Sequence, residues 1–213
     1  MDRRRFLTLS PALWWVSRAS AAAPAGEWKP LFDGKTLQGW KETAFPLKGQ
    51  ARVENGTIIL EKKYMTGVTW TGSFPKSNFE VRYEAVRVDG RDFFASMTFP
   101  VADSHCSLIV GGWGGDVVGL SNVDGWDAGE NETTTNMEFE TGRWYAFRLQ
   151  VTDARIQAWI DDEQFIDVDL QKHWVELRAG EMEASVPFGF ATYESTAALR
   201  KIEYRLLAPA VTP

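Results

Sequence analysis

The chain is short of several things that would assign it a chemistry. It has a single cysteine, Cys106, so no internal disulfide can form. Its two histidines, His105 and His173, lie far from each other, and only His105 adjoins that cysteine, which leaves no zinc signature. No Gly-x-Ser-x-Gly elbow occurs, so serine hydrolysis has no support. Beyond the amino terminus no stretch approaches the ~20 consecutive apolar residues that a membrane-spanning helix needs. There is no convincing run of helical period, no internal repeat and no interdomain linker. Positive charge is also scarce. Past residue 23 there are 19 lysines and arginines against 28 acidic residues, a balance of −9 that disfavours nucleic acid and anionic membranes.

What is present begins with an address. Arg3-Arg4-Arg5-Phe6-Leu7 has the twin-arginine export pattern, a weakly apolar run follows to Val16, and Ala19-Ser20-Ala21 supplies small residues for cleavage. Residues 1–23 therefore read as a twin-arginine-type signal peptide, and the mature protein is expected in the periplasm or outside the cell. No cysteine stands at the cleavage site, so a lipid anchor is not expected. The remaining ~190 residues suit one domain with a sizeable core.

That remainder has a period of two. Phe79, Val81, Tyr83 and Ala85 alternate with Glu80, Arg82 and Glu84. Tyr145, Phe147, Leu149 and Val151 alternate with Trp144, Arg148 and Gln150, and Ile156, Ala158 and Ile160 alternate with Gln157 and Trp159. Asn55-Gly56, between Ala51–Glu54 and Thr57–Leu60, is a strong hairpin signal because a type I′ turn needs positive φ at both positions. Further strands are expected at Phe93–Phe99, Cys106–Val110, Gln164–Val168, Phe188–Tyr193 and Ile202–Leu207. Turns recur at short intervals, as in a sandwich or barrel. Cys106, among apolar neighbours, reads as a buried core residue. Eight tryptophans lie beyond the signal, most expected in the core and two or three on a binding face, where an aromatic plane can stack on a sugar ring.

Two segments carry a resemblance. Leu31-Phe32-Asp33-Gly34-Lys35-Thr36-Leu37-Gln38-Gly39-Trp40 resembles the opening signature of the bacterial 3-keto-disaccharide hydrolase domain family, whose members are often labelled family 16 glycoside hydrolases. Ala198–Leu207 resembles the closing strand of the same family. The resemblance implies an all-β fold, a concanavalin-like two-sheet jelly-roll sandwich in a single domain over residues 27–207, with 208–213 as a loose tail. It also implies cleavage of glycosides already oxidised to a ketone at C3. A base removes the acidified C2 proton and the C1 substituent is expelled. In the middle of the chain the family's usual strand arginine and its following glutamate have no counterpart, for this stretch reads Asp92–Pro100 and then His105–Gly115. A non-catalytic carbohydrate-binding module on the same fold is therefore the alternative, and a purely structural or interaction domain a third reading.

The least ordinary stretch is 92–136, where long polar loops on a rigid sheet are the usual place for binding. It contains Gly111-Gly112-Trp113-Gly114-Gly115, which lets backbone approach a ligand or accommodates a bulge. It also contains an acidic and amide run from Asn122 to Glu132. His105, which titrates near neutrality, is the foremost base candidate, with Asp92, Asp124 and Glu130 as carboxylate alternatives. Arg91, Arg148, Asn122 and Asn131 are candidates for holding oxyanions or hydroxyls, and Trp113 and Trp159 for stacking. The period-two partition places Arg148 and Trp159 opposite the core, on or beside a concave face shared with Trp113, with His105 and Asn131 near its rim. No cofactor is expected. Asp124, Asp127 and Glu130 offer hard oxygens for calcium without the spacing of a known calcium loop. A true family 16 laminarinase would need a Glu-x-Asp-x-x-Glu strand, and neither Glu138-Phe139-Glu140 nor Asp161-Asp162-Glu163 has it.

Overall fold

The structure is a computed structural model and describes residues 26–209; the expected signal peptide and the last four residues of the tail lie outside them. Fifteen strands form two antiparallel sheets, with one five-residue 3-10 turn, Glu181–Ser185, and no α-helix among the described residues. No helix there is long and apolar enough to cross a membrane.

In chain order the strands are β1 Lys29–Pro30, β2 Trp40–Glu42, β3 Ala51–Glu54, β4 Thr57–Leu60, β5 Met65–Trp70, β6 Phe79–Gly90, β7 Ser96–Val101 and β8 Ser104–Gly112. They continue with β9 Val117–Ser121, β10 Thr135–Asn136, β11 Trp144–Val151, β12 Arg155–Ile160, β13 Glu163–Asp169, β14 Gly189–Tyr193 and β15 Ser195–Leu206. Sheet one has the order β13-β12-β11-β6-β15-β4-β3, with β1 also on β15; sheet two has the order β10-β9-β8-β7-β14-β5-β2. Chain start and chain end thus meet, Lys29 opposite Tyr204.

Alternation sorts the residues of sheet one. Phe79, Val81, Tyr83 and Ala85 of β6 and Phe147, Leu149 and Val151 of β11 point into the sandwich. Met97, Phe99, Cys106, Leu108, Val118, Leu120 and Phe190 meet them from sheet two. Tyr83 joins the two layers, stacked on Phe147 with centroids 4.9 Å apart and edge-on to Phe190 at 4.8 Å. Each such aromatic contributes ~1.5–3 kcal/mol by leaving water. Cys106 is fully buried, and burial pushes its thiol pKa up to about 12, so it is an inert core residue. The Asn55-Gly56 hairpin forms as expected, with φ of 49° and 78° and Glu54 facing Thr57.

The opening motif closes on itself. Asp33 Oδ1 accepts the amide hydrogens of Lys35 and Thr36, both at 2.7 Å, while Trp40 donates from Nε1 to the Leu31 carbonyl at 2.8 Å. Gly39 has a φ of 83°, and a Cβ there would stand 2.5 Å from the Trp70 ring, so only glycine fits.

Sheet two differs from sheet one in being buried on both faces. Beyond the main core, a second apolar cluster of Phe45, Met65, Met182 and Ala191 covers its outer side, with Leu177, Ala184 and Tyr193 packed around it. The segment 177–185 is thereby laid across β5 and β14. Farther along, Ala128 sits over Gly119, whose Cβ position is 2.8 Å from the Ala128 carbonyl oxygen. The expected strand at Phe93–Phe99 begins later, at Ser96, because Asp92–Ala95 turns to bring Asp92 outward.

Candidate functional site

A cavity of about 430 Å³ opens on the outer face of sheet two, between the covering segment 177–185 and the turn 112–115. Its floor is the paired residues Ser107 of β8 and Ser121 of β9, with Ile109 beside them. Asp92, Phe93 and Trp113 stand toward the turn 112–115 and Tyr64, Arg178 and Glu181 toward the covering segment, with Tyr193 stacked on Phe93 at 5.7 Å. A concave pocket with a few convergent polar groups is the ordinary form of a small-molecule site.

Asp92 is held firmly. Its Oδ1 accepts from the Phe93 amide at 2.7 Å and its Oδ2 from the Gly114 amide at 3.0 Å. Its own backbone exchanges two hydrogen bonds with the Ser195 hydroxyl, at 3.0 and 2.9 Å. The four glycines around Trp113 build this wall. A bulge falls between Val110 and Gly112, and a turn closes from the Gly115 amide to the Gly112 carbonyl at 3.1 Å. Trp113 is thereby raised over the pocket mouth, 45% exposed, with the Arg178 guanidinium 5.8 Å from its ring centre.

On the opposite wall Tyr64 donates from its hydroxyl to Glu181 Oε1 at 3.1 Å and stands edge-on to Tyr193 at 5.3 Å. The hydrogen bond to Glu181, and then its charge, raises the Tyr64 pKa. Loss of hydration raises that of Tyr193, helped by the charges of Glu194, Asp92 and Glu181. Both phenols therefore remain protonated donors at neutral pH. The pocket can thus present a fixed carboxylate, the Tyr193 phenol, a guanidinium and an aromatic wall to one small polar ligand, while the Tyr64 hydroxyl hydrogen is held by Glu181.

Of the residues singled out from sequence, Asp92 and Trp113 enter this pocket. His105 lies on the same outer face, two positions from Ser107 and opposite Pro100, but it does not line the cavity. It is half-buried, and burial, followed by the charge of Lys76, lowers its pKa, so it is neutral at pH 7. Arg91 lines a separate cavity behind Gly114-Gly115, with Arg87.

The loop 122–132 organises itself. Asn131 donates from its amide to the carbonyls of Leu120, Trp126 and Asp127 and accepts from Thr133, which leaves nothing for a ligand. Asn122 accepts from the Ser121 hydroxyl at 2.9 Å and pairs by its backbone with Glu176. Asp124 accepts from the Trp174 amide and stands 2.7 Å from His173 Nδ1. Asp127 caps the Gly129 amide, and Glu130 is exposed. The carboxylates that offered hard oxygens for calcium are turned to different partners, and among the described residues no three His, Cys, Asp or Glu side chains converge as metal ligands.

The shared face expected for Trp159, Arg148 and Trp113 is corrected. Trp159 and Arg148 do point away from the core, but from sheet one, so the whole sandwich separates them from Trp113. A second cavity, of about 490 Å³, lies on that face, lined by Trp28, Glu80, Arg82, Arg148, Trp159 and Arg205, and its charged groups already pair with one another. The Arg148 guanidinium lies 3.6 Å from the Trp159 ring centre, and buried Glu80 pairs with Arg148 and Arg205. The Trp28 ring on the same face lies between Arg82 and Arg205 at 4.1 and 4.4 Å. Tryptophan usage is corrected as well. Among the described residues only Trp40 is a buried tryptophan and Trp70 packs beside it, while Trp28, Trp144 and Trp159 lie half-buried under arginines and Trp113, Trp126 and Trp174 are exposed.

Tyr64, Tyr193, Arg178, Glu181, Ser107 and Ser121 were not singled out from sequence. They come from five separate segments, and no local pattern marks them. The nearest signal is the polar run Arg178–Glu181, which interrupts an otherwise alternating chain.

Solved structures share the architecture at low identity. A protein of Parabacteroides distasonis described as a candidate glycosyl hydrolase matches with a TM-score of 0.55 and 14% identity, over 85% of this chain and 94% of its own. A Crh5 transglycosylase gives 0.57 and 9%, over 89% of each chain. Domain 4 of the extracellular arabinanase AbnA from Geobacillus stearothermophilus, solved with arabinotriose, gives 0.55 and 12%, over 89% of this chain and 95% of its own. No curated protein matches the chain. Residues 27–205, from the first strand of the sandwich to the last, match the 3-keto-alpha-glucoside-1,2-lyase-like domain, and the chain belongs to that family.

Proposed function

We propose that the protein is exported and that its pocket on sheet two binds a 3-keto-glycoside and cleaves it by elimination. The observation that carries this reading is the oriented Asp92 carboxylate sharing one small cavity with Tyr193 and Arg178, in a member of a lyase-like family. Asp92 takes the C2 proton, made acidic by the C3 ketone, and the electron pair moves toward the ketone oxygen. Arg178 and the Tyr193 phenol hold the developing enolate. As the C1–O bond breaks, a C1–C2 double bond forms, and the departing oxygen takes the proton that Asp92 removed, which returns Asp92 to its carboxylate. Water adds to the unsaturated ketone afterwards. Positioned proton transfer of this kind contributes ~10²–10⁴-fold.

A specific observation favours the second reading, a binding module. Both oxygens of Asp92 already accept amide hydrogens, which leaves fewer lone pairs free to take a substrate proton. The experiment is incubation of the mature chain with 3-keto-trehalose and with methyl 3-keto-glucosides of both anomers, following liberated sugar. Turnover that falls with Asp92→Asn supports elimination. Saturable glycan binding without turnover across the set supports the module. Export is tested separately by cell fractionation: Arg3→Lys with Arg4→Lys should retain the precursor in the cytoplasm.

A further inference from the structure

We propose that Trp126 and Trp174 extend the pocket into an open platform for a neutral glycan chain, with Trp113 as the step between pocket and platform. This rests on the reading of the pocket as a sugar site and adds the class of ligand: a run of several uncharged sugar rings rather than a disaccharide alone. The three rings are 45%, 59% and 55% exposed for Trp113, Trp126 and Trp174, values that no other large aromatic of the described residues reaches.

The continuity can be followed contact by contact. Trp113 lines the pocket and lies against the loop, its Cε2 3.2 Å from the Cβ position of Gly129. Arg178, from the opposite wall, stands 3.6 Å from Asp127 of the same loop. Trp126 immediately precedes Asp127 and ends a tight turn in which Val123 and Trp126 exchange backbone hydrogen bonds at 3.0 and 2.9 Å. Trp174 flanks that turn, its ring 3.8 Å from the Cβ position of Gly125, and its amide is fixed by Asp124. The loop carrying this ring set is rigid by construction, because Asn131 ties it at three carbonyls.

Tryptophan faces that stay in water at the exit of a polar pocket suit sugar rings, whose axial C–H groups stack on them while hydroxyls remain hydrated. Charge selects among glycans. The rim carries Asp124, Asp127, Glu130 and Glu132 against Arg178, Lys172 and His173, and the cations are engaged: Arg178 with Asp127, Lys172 with Asp169, His173 with Asp124 and Glu132. Uronate chains would meet repulsion there, and uncharged ones would not.

Native affinity electrophoresis of the mature chain tests this, in gels holding laminarin, dextran, glucomannan or xyloglucan, with polygalacturonate as the acidic control. The expected result is retardation by at least one neutral polysaccharide and none by polygalacturonate. Trp126→Ala with Trp174→Ala should weaken retardation roughly tenfold, the scale of a lost aromatic pair at each of two positions. Trp126→Tyr, which keeps a stacking face, should restore part of it in the single variant. No retardation by any neutral polysaccharide, preference for polygalacturonate, or an unchanged double variant would overturn the platform. The two readings fail separately: retardation with no turnover of 3-keto-glycosides removes only the elimination, and turnover with no retardation removes only the platform.

Discussion

Two residues concentrate the chemistry. Asp92 spends both oxygens on amide hydrogens, so Asp92→Asn must turn an NH₂ toward one of two N–H donors. The variant is expected to lose ~10²–10⁴ in turnover of 3-keto-glycosides and about 1–2 kcal/mol of stability, read from initial rates and from urea midpoints. His173 is the second. Its hydrogen bond to Asp124 raises its pKa above the ordinary 6.5 against an opposing loss of hydration, with the charges of Glu132, Asp124 and Asp169 adding to the rise. A raised folded-state pKa means that the stabilisation is complete below about 6.5 and fades as pH climbs through the raised value. The thermal midpoint should therefore decline as pH rises above about 6.5. His173→Gln should flatten that decline, and an unchanged slope in the variant would show that other groups set it.

At the level of strands, the sequence was readable where a strand has one wet face. β6, β11 and β12 alternate because sheet one has its outer side in solvent, and their inward rows are the ones expected from period two. β5 and β9 gave no such signal, since residues such as Thr69, Gly67, Gly119 and Ser121 are buried as deeply as their inward neighbours. What buries them is a loop from elsewhere in the chain, which no local period can report. The same geometry explains the misplaced tryptophan. Period two correctly put Trp159 and Arg148 opposite the core, but a sandwich has two outer faces, each with a cavity, and nothing in β11 or β12 says that Trp113 stands on the other one. Trp159→Ala is now expected to leave turnover and glycan retardation unchanged. Loss of its stacking with Arg148 should cost about 1–2 kcal/mol, measured by chemical unfolding. A large fall in turnover would return the site to sheet one.

For the whole molecule, the sandwich and its closure were legible from both ends, because the Leu31–Trp40 turn and the final strand are local signatures that pair in space. Of the candidate pocket only a small part was legible. Asp92 and Trp113 stand beside glycines and irregular backbone, which mark one of its walls. Tyr64, Arg178 and Glu181 reach it from segments that become neighbours only once the two sheets and the covering segment are assembled. The central claim is that ligand sits on the outer face of sheet two under residues 177–185. Hydrogen–deuterium exchange on the Asp92→Asn variant, with and without saturating 3-keto-trehalose, tests it most directly, since slowed turnover leaves substrate in place. Slower exchange is expected at 92–93, 107–109, 121 and 177–183, with 144–160 unaffected. Protection confined to 144–160, or none at 177–183 under saturation, would contradict the account.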